Sequence, residues 1–455
     1  MGLGSFSGGV SAARFMARRG ARVVVTDLAT PDRLTESLAA IAGEGVAAVH
    51  LGGHREQDFR DAEIVVASPA VRKDNRFLQI ARAAGARVTT EMNLFFELCP
   101  APIVGVTGSN GKSTTTAMIH AMLRAAGRSA WLGGNIGRSL LEHVDTIQPT
   151  DTIVLELSSF QLEDLGEMGR SPHVAVITTF TPNHLDRHPS MDEYRGAKQE
   201  ILRHQSPGDF AVLNADDPDV ALWPTRCSTQ FYGLADHGRD GCFLDGDAVV
   251  WRRERSELRF GLLDALRLPG RHNQSNAVGA ACAALALGAE AVAVRAALAA
   301  FQTLPHRLEL VAEFSGRRFI DDSIATTPES TLAALDSLAQ PIWLIAGGSD
   351  KGLDLGPVAR RIAQRVEGVA LLGQTGSTLR RLLEESDRAG ERLRIQTCDS
   401  MDKAVRWCSE MSQAGDVILL SPACASFGMF HNFVDRARAF RRAVDAVRTT
   451  RRAAG

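Results

Sequence analysis

Gly105-Val106-Thr107-Gly108-Ser109-Asn110-Gly111-Lys112-Ser113-Thr114 carries the strongest chemical signal in the chain. An apolar run precedes it and a helix-forming stretch follows. Its glycines can therefore curl backbone N–H groups around phosphate oxygens while the helix N-terminus adds a favourable dipole. In that arrangement Lys112 lies against the β- and γ-phosphates of a nucleoside triphosphate, and the Ser113 hydroxyl reaches Mg²⁺. Gly108, Ser109, Asn110, Gly111, Lys112, Ser113 and Thr114 form the expected phosphate-binding set. Five residues separate Gly105 from Gly111, where the common P-loop has four.

Phosphoryl chemistry needs a hard cation, and a hard cation needs oxygen ligands. Glu156 lies in the apolar stretch Ile153 to Leu157, where an α/β sheet presents groups to its ligand crevice. His184 follows the carboxyl end of the next apolar stretch, with Asp186 and Arg187 beside it. A lone histidine is more often structural than a ligand, so its company is what singles it out. Lys198, in Tyr194-Arg195-Gly196-Ala197-Lys198, reads by default as a surface helix lysine. Asn273 and Asn276 each carry an amide donor and acceptor, and either could serve as a helix cap.

These residues need a scaffold of buried strands, and the pattern supplies one. A glycine turn at Gly2 to Gly9, an amphipathic run to Arg19 and an apolar strand from Ala21 to Thr26 ending at Asp27 have the order of a dinucleotide-fold half. The strand that usually precedes such a turn is missing, so the natural start is expected upstream of Met1. Further strands are predicted at 64–67 and 86–89, closing a first α/β unit at about residue 93. A second series follows at 103–107, 153–157, 175–179 and 211–213, then an antiparallel insertion between Gly233 and Leu268. Helices are predicted over 276–287 and 291–301. After Leu304-Pro305 the rhythm restarts, with strands at 318–321, 342–346, 368–372, 394–397 and 417–420. The expected fold class is α/β in three domains: 1–93 Rossmann-like, 94–304 a P-loop domain with a mostly parallel sheet, and 305–455 Rossmann-like again.

Composition narrows the class. With 51 basic and 53 acidic residues the formal charge is −2, which offers no general attraction to nucleic acid or an anionic membrane, so anion binding must be local. Seven cysteines without a C-x-x-C pair argue against a disulfide framework and a zinc site, and point to the cytoplasm. No apolar stretch approaches the roughly 18 residues of a bilayer span.

The sequence T-G-S-N-G-K-S-T resembles the phosphate loop of the Mur ligases and their folylpolyglutamate synthetase relatives. Thr181 to His188 is similar to the family's D-H-L-D-R segment, although Asn183 replaces its acidic residue, and the resemblance implies His184 as a magnesium-site residue. Lys198 matches the lysine that these enzymes carry as a carbamate. A carbamate needs the neutral amine, so burial must disfavour the charged form. Gly133 to Gly137 resembles the loop contacting the muramoyl substrate through Asn135, with Ser158, Gln161 and the strand-ending Asp27 expected on the same substrate. Leu268 to Asn276 resembles the adenine-reading G-x-H-N-x-x-N segment.

Towards the C-terminus, Pro305-His306-Arg307 resembles the family hinge, which implies that Arg307 reaches the ATP phosphates. Asp321 to Thr327 is similar to the D-S-K-A-T segment of glutamate-adding members, with Asp322 near the ribose and Thr326 near the incoming amino acid. Ile324 stands where lysine is common. Lys351, Ser426 and Phe433 occupy positions that bind glutamate in those members, and the D-N-P-R signature of the diaminopimelate-adding relatives is absent. Ala437 replaces a glycine in the closing N-F-x-x-R-G-x-x-F pattern.

The resemblance implies ATP-dependent ligation of D-glutamate to UDP-N-acetylmuramoyl-L-alanine through an acyl phosphate, in a monomer using one or two Mg²⁺ ions. Closure about hinges near Met92 and Leu304 would exclude water. The alternatives are an L-glutamate-adding variant, a folylpolyglutamate synthetase-like ligase, and a P-loop ATPase that moves partners without ligation.

Overall fold

The computed structural model describes all residues except 5–6, 137–138, 184–187, 255, 262, 269, 351, 387–392 and 455, and leaves out the side chains of Ser7 and 451–454. The chain divides into two compact units: Met1–Phe180, Asp192–Ala265 and Asn276–Ala299 make the first, and Thr181–Met191, Leu266–Ser275 and Ala300–Gly455 the second.

The first unit is built on a nine-stranded sheet. In spatial order its strands are Ser256–Gly261, Ala248–Arg253, Gly241–Asp245, Ser228–Gly233, Phe210–Asn214, Val174–Ile177, Ile103–Thr107, Thr152–Glu156 and Ala130–Gly134. All pairings are parallel except those of the hairpin at one edge, which joins 241–245, 248–253 and 256–261. The expected antiparallel insertion is therefore this hairpin alone, because Ser228–Gly233 continues the parallel series. Every residue of Ile103–Thr107 and Thr152–Glu156 is buried, as strands covered on both faces require. Ile103–Thr107 lies between Thr152–Glu156 and Val174–Ile177, which places its carboxyl end at a switch in strand order, where α/β sheets hold their ligands.

The N-terminal part of this unit carries two short parallel pairs, Val24–Asp27 with Ala48–Leu51 and Ile64–Val66 with Arg87–Thr89. Residues 1–2 run between them: the Met1 amine donates to Val66 O at 2.9 Å, and Gly2 N to Thr26 O at 2.8 Å. The boundary expected after residue 93 falls inside the helix Glu91–Leu98. Thr90 caps that helix by accepting from Asn93 N, and Met92 and Phe95 are buried in it.

The second unit has a six-stranded sheet in the order Glu309–Phe314, Arg317–Asp321, Val417–Leu420, Ile342–Gly347, Gly368–Leu372 and Arg394–Thr397, with only the first strand antiparallel. Helices cover both faces. Pro328–Ser337, Gly356–Arg365 and Gly376–Ser386 bury Leu335, Val358, Ile362, Leu379 and Leu383 against one; Met401–Met411 and Phe433–Ala454 bury Val405, Cys408, Phe440 and Val444 against the other. Each such side chain contributes about 1.5–3 kcal/mol of burial. Among the described residues no helix is long and apolar enough to cross a membrane.

Candidate active site

The glycine loop closes onto the next strand rather than standing free. Ser109 N donates to Thr179 O at 2.6 Å, Asn110 N to Thr179 Oγ1 at 3.1 Å, and Thr178 Oγ1 to the Asn110 carbonyl. Two positions demand glycine. Gly108 has φ +149° and a Cβ there would lie 1.9 Å from Thr178 Oγ1, while Gly111, at φ +83°, would meet Asn276 Oδ1 at 2.3 Å. Gly111 precedes the helix Lys112–Ala125, in whose first turn Ser113 and Thr114 are buried. Asn276 also accepts from Thr115 Oγ1 at 3.3 Å, so this candidate base contact packs against the loop itself. Asn273 is buried in the second unit, with its N–H on Gly270 O at 3.0 Å.

Two lysines meet at this loop. Lys112 Nζ donates to Gly108 O and Ser109 O, both at 3.0 Å, and Lys198 Nζ donates to the same Gly108 O at 2.8 Å. Lys198 is 1% exposed, so it is no surface lysine. Burial, and next the charge of Lys112, push its pKa well below the ordinary lysine value, while Glu156 pulls the other way. The neutral amine that carbamate formation needs is thereby favoured. Tyr194, one turn earlier on the helix Met191–Arg203, places its ring 4.6 Å from Lys198 Nζ and its hydroxyl 3.3 Å from Ser109 Oγ. Its own pKa is raised by burial to about 12. Sequence reasoning passed over Tyr194, although its i, i+4 spacing to Lys198 puts both on one helix face.

Glu156 ends its strand 2% exposed, with Oε1 accepting from Asn135 Nδ2 at 2.9 Å. Its Oε2 is buried and has no hydrogen-bond partner among the described residues. A buried carboxylate oxygen left unpaired is costly, and a hard cation would satisfy it; the Glu156 carboxylate and the Ser113 hydroxyl are oxygen donors of the kind that Mg²⁺ takes. His184 lies outside the described residues. Ser158 and Gln161 are engaged with each other in a capping box: Gln161 N donates to Ser158 Oγ at 3.3 Å and Ser158 N to Gln161 Oε1 at 2.9 Å. Asp27 likewise uses both oxygens locally, accepting from Gly4 N at 3.0 Å and Ala29 N at 2.8 Å. It thus holds the N-terminal glycine turn in place.

In the second unit, Arg307 sits between two non-glycine residues of positive φ, His306 at +64° and Leu308 at +45°, and its Nε is buried without a partner among the described residues. Its charge acts on His272, whose pKa burial and then Arg307 lower to about 4, and on Asp322. Asp322 accepts from Ser421 Oγ at 2.7 Å and Leu308 N at 3.2 Å, and burial raises its pKa to about 7. The cluster His306, Glu309 and Asp321 could share a metal ion by distance, but Arg441 already pairs with both carboxylates.

A small, partly open cavity lies at the carboxyl ends of this unit's parallel strands, lined by Thr326, Ser349, Asp350, Thr375, Ala423 and Cys424 among others. Of the expected glutamate contacts, Thr326 lines it, and Ser426 is buried in the loop that supplies Ala423 and Cys424. Phe433 opens the last helix, its carbonyl accepting from Ser323 Oγ at 2.8 Å. Lys351 lies outside the described residues.

Residues 1–90 match the family model described as Mur ligase MurD-like, N-terminal domain, 106–284 the Mur ligase middle domain, and 306–424 the Mur ligase, glutamate ligase domain. The chain belongs to the Mur ligase family. It is similar to the UDP-N-acetylmuramoylalanine–D-glutamate ligase of Roseiflexus sp. (strain RS-1), at 46% identity over 98% of this chain and 97% of that one. The same-named ligase of Symbiobacterium thermophilum is 42% identical over 95% of each. Among solved structures, the UDP-N-acetylmuramate-alanine ligase of Thermotoga maritima superposes with a TM-score of 0.64 at 18% identity, covering 94% of this chain and 99% of that one. A pseudomurein peptide ligase type C from Methanothermus fervidus gives 0.60 at 17% identity, covering 96% and 97%. These likenesses show the three-domain α/β fold of the Mur ligases. The protein is an ATP-dependent, amide-forming ligase of a family that works in peptidoglycan precursor synthesis, and Mg²⁺ is the metal that family uses.

Proposed function

We propose that this Mur ligase joins D-glutamate to UDP-N-acetylmuramoyl-L-alanine, as a cytoplasmic monomer. The observation that carries the reading is the meeting of Lys112, Lys198 and Glu156 at one phosphate loop, together with relatives named for that reaction over nearly the whole chain. The domain roles are 1–93 for the UDP-precursor, 94–304 for ATP and 305–455 for glutamate.

The alanine carboxylate of the precursor attacks the γ-phosphorus of ATP, the bond to the bridging oxygen breaks, and ADP leaves an acyl phosphate. Lys112 offsets charge on the phosphoryl group in transfer. Glu156, Ser113, His184 and a carbamylated Lys198 would hold Mg²⁺, at one or two positions, which would supply further charge neutralisation. Carbamylation joins the neutral Lys198 amine to CO₂ with loss of one proton, exchanging a disfavoured buried cation for an anion beside Lys112. Asn273, Asn276, Arg307 and Asp322 bind the nucleotide; Asp27, Asn135, Ser158 and Gln161 act towards the muramoyl precursor. The glutamate amine, held with its carboxylates by Thr326, Lys351, Ser426 and Phe433, then attacks the acyl carbon. Phosphate departs, and the amine proton passes to His184 or a neighbouring carboxylate.

A second reading, L-glutamate as the amino acid, is left open by Ile324, which stands where lysine is common in the family. Product analysis with ATP-Mg²⁺, UDP-N-acetylmuramoyl-L-alanine and either enantiomer decides. An amide formed with D-glutamate supports the first reading, and one formed only with L-glutamate the second. Ligation of glutamate to a folate instead, or phosphate release without any ligation, overturns both.

A further inference from the structure

Arg436 is the largest of the fully buried side chains, at 1% exposure, on the face of the helix Phe433–Ala454 that packs on the second unit's sheet. Its guanidinium makes three hydrogen bonds, all to uncharged acceptors: Nε to Ser323 Oγ at 3.1 Å, one terminal nitrogen to Ser323 O at 2.8 Å, and the other to Cys424 O at 3.0 Å. Among the described residues it forms no ion pair. A buried cation so placed is a cost to folding that surface arginines avoid, so its position calls for a use.

The acceptors explain that use. Ser323 belongs to the loop leaving the strand Arg317–Asp321, which carries Asp322 and Thr326. Cys424 belongs to the loop leaving Val417–Leu420, which carries Ser426 and is bent through a left-handed Ala423 at φ +59°. A third loop, leaving Ile342–Gly347, is within reach as well: a Cβ on Gly348 would lie 3.3 Å from the Arg436 nitrogen and 2.0 Å from Ala425 O. Ser349 N in turn donates to Ala425 O at 2.9 Å. These three loops supply Thr326, Ser349, Asp350, Ala423 and Cys424 to the cavity, whereas Arg436 itself does not line it. Ser323 Oγ closes the circuit by donating to the carbonyl of Phe433, at the start of the helix that bears Arg436.

We propose that Arg436 is a positioning residue for the amino-acid pocket: one guanidinium fork sets the relative placement of two strand-end loops, those of Ser323 and Cys424, the third being tied to the latter through Ser349 and Ala425, and it lends the pocket a fixed positive charge suited to a dianionic side-chain and main-chain carboxylate pair. A planar fork with divergent N–H groups does this where a lysine cannot, because three acceptors in two loops need fixed directions. The proposal rests on the cavity being the glutamate site.

The test compares Arg436→Lys, which keeps the charge but loses the fork, with Arg436→Gln, which loses the charge, and with the milder Ser323→Ala. Each is measured for the KM of glutamate, ATP and UDP-precursor, for kcat, and for the unfolding midpoint. The expected result is a glutamate KM raised about tenfold or more in Arg436→Lys and further in Arg436→Gln, with the other two KM values moved far less. Ser323→Ala should give a smaller rise and keep the fold even if an Arg436 variant does not. An unchanged glutamate KM in every folded variant overturns the role of Arg436. Thr326→Ala is the control for the underlying reading: if it too leaves the glutamate KM unchanged, the cavity is not the glutamate site, whereas a raised value there with none in the Arg436 and Ser323 variants refutes Arg436 alone.

Discussion

The Asn135 amide donates to Glu156 Oε1 at 2.9 Å, and Oε2 of the same carboxylate is buried with no hydrogen-bond partner among the described residues. One oxygen is thus fixed by the protein, and the other is the one that the proposed cation would take. Asn135→Ala should let the carboxylate rotate and weaken Mg²⁺ activation about 10- to 100-fold. Titrating Mg²⁺ against initial rate checks this, and an unshifted activation constant would separate Asn135 from the metal.

Lys112→Ala should abolish ATP turnover, by about 10³-fold or more, because the cation that stabilises the phosphoryl group in transfer is lost. Binding of the UDP-precursor, followed by calorimetry, should persist. Loss of both would mean that Lys112 holds the loop together rather than serving the phosphate.

Lys198 makes a prediction about stability. Its pKa is depressed in the folded state by burial and by Lys112, so the stability it contributes is present above the ordinary lysine value and lost as pH falls through the depressed one. At neutral pH in CO₂-depleted buffer, Lys198→Met should therefore stabilise the protein by about 1 kcal/mol while removing activity. Urea unfolding reads the first and a coupled ADP assay the second; a destabilised variant would contradict a strained buried amine.

Asp322 titrates in the opposite sense. Burial raises its pKa from 3.8 to about 7, so its contribution to stability is full below the lower value and declines as pH rises through the upper one. Asp322→Asn should flatten the fall in unfolding midpoint of the free protein between those limits. Parallel pH profiles of both proteins would show no difference if Asp322 ionised normally.

Much of the scaffold could be read from the residues. Gly368–Leu372, Arg394–Thr397 and Val417–Leu420 have the expected ends, and Ile103–Thr107 is marked by an uninterrupted apolar run meeting a glycine turn. Ala48–Leu51, Ala130–Gly134 and Glu309–Phe314 were not foreseen. Each forms an edge of its sheet and is only partly buried, so neither a continuous apolar run nor strong alternation marks it. At the site, S-x-x-Q at 158–161 spells a capping box as readily as a substrate contact, and only coordinates reveal that the two side chains hold each other. Arg436 stands in the closing N-F-x-x-R-G-x-x-F pattern, but its burial and its acceptors were not legible there: a cation in an arginine-rich helix reads as solvated until Ser323, more than a hundred residues away, is placed beside it.

The position of Ile103–Thr107 has a further consequence, for synthesis on the ribosome. Both of its neighbours come later in the chain, at Thr152–Glu156 and Val174–Ile177, and the loop at its end also leans on Thr179, Lys198 and Asn276. An emerging polypeptide therefore holds the glycine-loop residues long before it can shape them. Nucleotide affinity is acquired late, when Asn276 has been translated and docked, and a stalled or truncated product ending earlier is left with an unshielded strand that invites aggregation.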